Sequence, residues 1–438
     1  MEYSLIGFAC LLVMIFLRIP LAVAMGSVGV VGFAMVQLHV FENPRGWDAA
    51  LKMIPQVAFD TGLSYGLSVV PLFILMGNFI TESGLSEKLY RASNAFLGHL
   101  KGGLALATVL ACGFFSAVCG SSMATSATMS KVAMPSMRKY KYSDSLATGS
   151  IAAGGTLGIL IPPSVILVIY GILTETDIGK LFMAGILPGL LGILLYMAAV
   201  WATVKRKPEA GPAGPKSTRR ERIDAFLGIW SVAALFTIVM GGIYAGFFTP
   251  TEAAGIGATG AFLIALFKRK LTFASTYKIL VNTAKTTSML FFLVIGAVMF
   301  SNFVNIAGLP DELRDWVLSM NASPVMVILA LILVYLLLGT VLESLSMILL
   351  TVPIFYPMMQ AMGFDLIWFG ILVVVVTEIS LITPPVGLNV FVLKAVVPDV
   401  SLKTIFKGVT PFWIADIIRL LLIASIPAIS LLLPNMAG

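Results

Sequence analysis

The sequence predicts an all-α polytopic membrane protein with about ten crossing segments and two re-entrant helical hairpins, arranged as two inverted repeats. Three observations predict it. First, the 438 residues are 59% hydrophobic and only 11% charged, against roughly 25% charged for a soluble domain. Second, two long apolar runs carry adjacent prolines: Gly154–Tyr170 (GGTLGILIPPSVILVIY) with Pro162 and Pro163, and Thr377–Lys394 (TEISLITPPVGLNVFVLK) with Pro384 and Pro385. A proline pair removes backbone donors and breaks a helix. Third, Asn78-Phe79-x4-Gly84-Leu85-x3-Leu89 recurs without gaps as Asn302-Phe303-x4-Gly308-Leu309-x3-Leu313. Broken helices survive at membrane depth only where the freed backbone lines a cavity or binds something, and a pair of them in corresponding halves points to a secondary transporter's binding site.

Apolar segments of spanning or near-spanning length lie near 3–17, 20–38, 65–81, 147–173, 181–204, 226–247, 252–267, 286–304, 364–397 and 409–434. Met1–Leu17 lacks a basic start and is followed by Arg18 and a second apolar run, so a retained span is expected rather than a cleaved leader. Segments 102–137 and 325–361 are interrupted by small polar clusters, Cys119-Gly120-Ser121-Ser122 and Gly339-Thr340, as re-entrant hairpins would be. The one clear linker is Lys205–Asp224, rich in Pro, Gly and charge. Four regions follow: scaffold helices in 1–64; a first repeat in 65–204 with its arm, hairpin and broken helix 147–173; linker and scaffold helices in 205–285; and a second repeat in 286–438 with hairpin 325–361 and broken helix 364–397. A looser echo, Asp177…Phe182…Gly185…Pro188 against Asp399…Phe406…Gly408…Pro411, extends the repeat.

The net charge of +7 reads as topology rather than nucleic-acid binding. With a cytoplasmic linker and re-entrant hairpins, only Arg45, Lys52, Lys180 and Arg314 fall outside. Lys131, Lys394 and Arg419 stay in the membrane, and the rest of the 28 Lys and Arg are cytoplasmic. Both termini are then periplasmic, and the two hairpins open to opposite sides. The three cysteines lie in apolar segments and imply no disulfide framework.

Each half thus pairs a hairpin tip with a helix break: Ser116–Thr125 with Gly154–Ser164, and Gly339–Ser346 with Glu378–Asn389. Helix ends expose carbonyls and half-helix starts expose amides; carbonyls with hydroxyls suit a hard cation, amides an anion. Ser, Thr and Gly also serve close helix packing, but two tips paired with two breaks favour a binding role.

The motifs FSAVCGSSMATSATMSKVAMP, GGTLGILIPPS and TEISLITPPVGLN resemble the large membrane subunit of the tripartite ATP-independent periplasmic (TRAP) transporters, across essentially the whole chain. The resemblance implies an elevator-type symporter in the bacterial inner membrane, driven by two or more Na⁺. It implies three companions: a periplasmic substrate-binding protein, a separate small membrane subunit and an organic acid anion. C4-dicarboxylates, sialic acid and other sugar acids, keto acids and sulfonates all fit. Carried over by motif, one Na⁺ site joins Ser116 and Cys119 to Gly158, Ile161 and Pro163; the other joins Gly339 and Leu342 to Ser380, Thr383 and Val386. Many relatives have Ser where Cys119 stands, which leaves open whether a backbone carbonyl or a hydroxyl is the ligand there. Ser121, Ser122, Ser164 and Asn389 are the substrate-binding candidates. A divalent-anion/sodium symporter working without a binding protein is the alternative within transport.

Three charged residues are further candidates. Glu343 and Glu378 are intramembrane carboxylates, functional by default unless they face water or fasten the hairpin. Lys131 either meets an anionic substrate or snorkels. Gly255–Gly260 matches a dinucleotide fingerprint but lacks the preceding strand, so it reads as a helix-packing face. His39 and His99 have no metal-ligand spacing. An intramembrane hydrolase would need Ser121 or Ser122 with Lys131, since no histidine lies in the membrane. No enzyme activity is expected.

Overall fold

The computed structural model describes residues 2–320 and 322–436, and every regular element among the described residues is helical. Three helices come first: α1 (Glu2–Phe16), α2 (Leu21–His39) and α3 (Gly46–Gly62). An arm follows in α4 (Val69–Glu82) and α5 (Leu85–Leu97), then a hairpin in α6 (Gly103–Cys119) and α7 (Ser122–Lys139). A broken helix is formed by α8 (Asp144–Thr156) and α9 (Val165–Thr174), and a long helix α10 (Ile178–Arg206) ends the first half. After the linker come α11 (Arg219–Tyr244) and α12 (Pro250–Phe267).

The second half repeats the order. Its arm is α13 (Phe273–Ile306) and α14 (Leu309–Ser319), its hairpin α15 (Pro324–Leu338) and α16 (Ser344–Ala361). Its broken helix is α17 (Leu366–Ser380) and α18 (Leu388–Val396), followed by α19 (Leu402–Ser425) and α20 (Ala428–Met436). The matched glycines hold matched geometry: Gly84 and Gly308 have φ of +74° and +76°, a left-handed turn that glycine adopts at little cost. Both proline pairs contain cis peptide bonds.

Among the described residues, seven helices are long and apolar enough to cross a bilayer, eight if α3 and the following arm helix, bent by 59° at their junction, count as one span. That is fewer than the expected crossings, because α1 and the broken-helix segments are built from shorter apolar helices such as α9 and α17. Three boundaries also differ from the sequence reading. Helix α3, whose mixed composition includes Asp48, Lys52 and Asp60, was not foreseen. The segment expected over 286–304 is the end of a 34-residue helix. The segment expected over 409–434 divides at Ile426, which leaves the helical region (φ −127°, ψ 79°) ahead of Pro427, as a residue before proline must.

Lipid supplies no hydrophobic drive between helices, so close approach of small residues does the packing. Gly29 lies against the Met299–Phe300 backbone and Gly296 against Ala22, which seats α2 on α13. In the same way Gly149 and Gly408 bring the backbones of α8 and α19 together. Of the fingerprint-like glycines, Gly257 packs on Met76 and Gly260 on Leu235.

The two broken helices run in opposite directions. At one end, Arg138 at the close of α7 pairs with Asp399 just beyond α18, and with Asp144 at the start of α8. At the other, the Tyr170 hydroxyl near the end of α9 donates to the Leu366 carbonyl at the start of α17 (2.6 Å). The linker straps the open end of the first hairpin: Gly102 N–H donates to Gly211 O (2.8 Å), Ser143 N–H to Ala210 O (3.1 Å), and Gly214 N–H to Gly98 O (2.9 Å).

Candidate functional site: hairpin tips against helix breaks

The first tip turns at Gly120 (φ +64°), whose N–H donates to the Ser116 carbonyl at 2.8 Å. Ser121 then caps α7 by accepting from Ala124 N–H (3.3 Å). Helix α8 tightens into a 3₁₀ turn at Leu157–Ile159, and Ser164 caps α9 by accepting from Leu167 N–H (3.3 Å) while donating to the Ile159 carbonyl. Between these caps, the carbonyls of Gly158, Ile161 and Pro163 receive no hydrogen bond among the described residues. The Ser116 hydroxyl, fully buried, is also unpartnered. A buried polar atom left unpaired costs free energy unless something fills its valence. Gly158 sits directly on Ser116; a Cβ there would lie 2.7 Å from Ser116 Oγ. Cys119, half-buried, ends α6 one residue before that turn.

The second half exchanges the two residue types. Here the tip supplies the glycine and the break supplies the serine: Gly339 presses on the Ser380 side chain. Ser380 Oγ donates to Thr377 O (2.6 Å) and Thr383 Oγ1 to Ile379 O (2.6 Å), while Trp413 Nε1 donates to Thr383 Oγ1 (3.0 Å). Ser380 O accepts from Thr383 N–H, but the carbonyls of Gly339, Leu342, Thr383 and Val386 receive no hydrogen bond among the described residues. In each set one tip residue and one break residue are in contact, Ser116 with Gly158 and Gly339 with Ser380, beside unspent carbonyl oxygens. Oxygen-only ligation suits a hard cation such as Na⁺ better than a softer metal, so the residues present fit that ion.

The four substrate candidates divide. Ser121 and Ser164 sit at half-helix starts, each occupied as a cap. Ser122 and Asn389 meet across the halves: Asn389 Nδ2 donates to Ser122 Oγ (2.6 Å) and to the Ala152 carbonyl (3.1 Å). Asn389 Oδ1 is left buried and unpaired, as are the Thr125 and Ser126 hydroxyls on the same side of α7.

The charged candidates go to three different places. Glu343 is half-buried at the start of α16 and accepts from Ser346 Oγ (3.1 Å). Lys131 is exposed on the surface of α7. Glu378 is fully buried and accepts from Arg419 Nη2 (2.6 Å). The same guanidinium nitrogen lies 2.9 Å from Asp416 Oδ1. The sequence reading missed Asp416 as a partner, although an Asp three positions before an Arg in an apolar helix is a readable signal.

Residues 8–429 match the profile of the family described as "Tripartite ATP-independent periplasmic transporter, DctM component". The chain is 38% identical over 414 residues to the C4-dicarboxylate TRAP transporter large permease protein DctM of Pseudomonas aeruginosa, covering 94% of each. It is 35% identical to the sialic acid TRAP transporter large permease protein SiaM of Vibrio cholerae, over 85% of this chain and 87% of that one. It is also 35% identical to the isethionate TRAP transporter permease protein DctMQ of Oleidesulfovibrio alaskensis, over 86% of this chain and 60% of that one. Among solved structures, the Alcanivorax borkumensis YdaH transporter shares the fold, with a TM-score of 0.67 at 14% identity over 100% of this chain and 98% of that one. The chain belongs to the DctM-component family of tripartite ATP-independent periplasmic transporters.

Proposed function

We propose that this chain is the permease through which an organic acid anion, delivered by a periplasmic binding protein, enters the cell across the inner membrane with Na⁺. A small membrane subunit completes the complex. The observation that carries the reading is the exchanged pairing of tips and breaks, Ser116 on Gly158 and Gly339 on Ser380, each beside carbonyls that receive no hydrogen bond among the described residues. Relatives named for C4-dicarboxylate, sialic acid and isethionate support an acid anion, and their common chemistry is at least one carboxylate or sulfonate. Ser116 and Cys119 with Gly158, Ile161 and Pro163 would hold one Na⁺; Gly339 and Leu342 with Ser380, Thr383 and Val386 would hold the other. Bound Na⁺ would bring positive charge to the tips and so favour an anion between them.

The hairpins and broken helices, with α10 and α19, form the body that moves. The first three helices, α11, α12 and the long arm helices form the frame. The kinks at Gly84 and Gly308 let α5 and α14 act as arms between them. The test is uptake of a radiolabelled acid into proteoliposomes holding this chain and its small subunit, with and without an inward Na⁺ gradient and with and without the cognate binding protein. Dependence on both is expected. Uptake needing Na⁺ alone would reassign the chain to a binding-protein-independent symporter, and uptake indifferent to Na⁺ would overturn the ion-site assignment.

A further inference from the structure

The most deeply buried charges in the chain belong to neither tip. Arg419, Glu378 and Asp416 are each fully buried and form one network, because Arg419 Nη2 reaches Glu378 Oε2 (2.6 Å) and Asp416 Oδ1 (2.9 Å). The Tyr196 hydroxyl donates to Asp416 Oδ2 (2.5 Å), and its ring centre lies 6.0 Å from the guanidinium carbon, within cation–π reach. Thr156 Oγ1 adds a hydrogen bond to the Tyr196 hydroxyl (3.1 Å). Gly192 makes the room, since a side chain there would enter the space of the guanidinium. Helix α17, which carries Glu378, packs against the 3₁₀ turn of the first break, and Thr156 leads into that turn.

Stability alone is a poor reason for such a network. A buried ion pair usually does no better than an apolar replacement of the same shape, and charge in a membrane interior is costly. Its placement supplies a better reason. Thr156 stands two residues ahead of Gly158 in the first break, and Glu378 two residues ahead of Ser380 in the second. A helix break has no ladder of backbone hydrogen bonds to fix its carbonyls. We propose that Arg419 is a positioning residue for ion coupling: through Glu378 on one side and Asp416, Tyr196 and Thr156 on the other, it fixes the carbonyls of the first break relative to those of the second. This rests on the Na⁺-coupled reading above. Occupation of one break then pre-orders the other, and the coupling is reciprocal.

The test uses the reconstituted complex of this chain with its small subunit, titrated with Na⁺ at saturating binding protein and acid. Glu378→Gln keeps the shape of the side chain but removes its charge. Tyr196→Phe removes one hydrogen bond to Asp416, and the variant keeps the chain readable if Glu378→Gln fails to fold. Glu378→Gln is expected to raise half-saturating Na⁺ about tenfold, Tyr196→Phe about threefold, in the range of couplings within one ion-pair network. Both should lower the Hill coefficient toward one, while uptake at high Na⁺ recovers to within about twofold of the parent, because a positioning loss can be titrated away. Arg419→Lys, which keeps charge but not the planar fork, should shift Na⁺ dependence in the same direction. Lower yield and lower maximal uptake with unchanged half-saturation and Hill coefficient would overturn the proposal. Failure of the Na⁺ reading itself would show in the parent protein, as uptake without Na⁺ dependence.

Discussion

Replacing Gly158 by alanine tests the pairing of tip and break most directly. A Cβ at this position would lie 2.7 Å from Ser116 Oγ and 2.8 Å from Ser116 Cα, whereas unstrained carbon contacts fall near 3.5–4.0 Å. The 3₁₀ turn must therefore move away from the tip by about 1 Å. Neither side can yield by a simple rotamer change, because the nearest atoms include the Ser116 backbone. Overpacking of this kind costs about 1–3 kcal/mol, roughly a 5- to 150-fold change in an equilibrium. Charged to the state in which the break carbonyls converge, that cost appears as weaker ion binding. Gly158→Ala should therefore need about tenfold more Na⁺ for half-maximal uptake, a mid-range value for such a cost, while the purified complex still elutes as one species. The double variant Ser116→Gly with Gly158→Ala removes the colliding side chain, and should recover part of the Na⁺ affinity and fall short by the lost hydroxyl. The mirror substitution, Gly339→Ala, drives a methyl into Ser380 and to 3.2 Å from the Tyr335 carbonyl, with the same expected direction. Wild-type uptake and Na⁺ dependence in Gly158→Ala would refute the idea that this contact sets the ion site.

Three further outcomes follow from individual contacts. Asn389→Ala strips the donor from Ser122 Oγ and the Ala152 carbonyl, leaving both buried acceptors short by about 1–3 kcal/mol; thermal unfolding in detergent should drop by several degrees, and an unchanged midpoint would show the bridge to be idle. The Arg138 hydrogen bond holds the Asp399 carboxyl below the ordinary carboxylate range. A depressed folded-state value contributes stability above the unfolded value and loses it as pH falls through the folded one. The difference in unfolding midpoint between parent and Asp399→Asn should therefore be small, present near neutral pH, reduced by salt and gone in acid; a difference constant across pH would contradict it. Tyr142→Phe removes the hydroxyl that accepts from Leu104 N–H (3.1 Å) and donates to the Pro212 carbonyl (2.9 Å), so protease cleavage in the 207–218 linker should quicken in inside-out vesicles and in detergent alike, with equal rates counting against the strap.

The features legible from the sequence were those that local chemistry dictates. A proline pair in an apolar run must interrupt its helix wherever it lies, and both pairs do so. Gly84 and Gly308 stand where the chain turns left-handed, and a glycine at a recurring position between apolar helices is a strong signal of such a turn. The tip at Gly120 (φ +64°) was readable for the same reason, whereas Gly339 stays right-handed (φ −67°) at the end of α15. Helix α3 was not, because Asp48, Lys52 and Asp60 dilute its hydropathy below that of a span. The division at Ile426 was missed because the apolar run continues through Pro427 without a polar cue.

The pairing of residues across the halves was the part no local rule could supply. Asn389 reaches Ser122, and Tyr196 reaches Asp416, over sequence separations of 267 and 220 residues. Each candidate looked like an isolated polar group on an apolar helix, for which a cavity, a substrate or a neighbouring helix are equally good partners. The repeat itself narrows the choice. If two halves with the same order of elements run in opposite directions, the start of one broken helix must lie beside the end of the other, as Asp144 and Asp399 around Arg138 do. Polar residues at matching depth in the two breaks then face each other, and Asn389 is bound to find the first half rather than lipid. Glu378 obeys the same constraint from the opposite side of the second break: its helix packs on the 3₁₀ turn of the first break. Inverted symmetry thus converts a polar residue near a break from a question about solvent into a question about its counterpart.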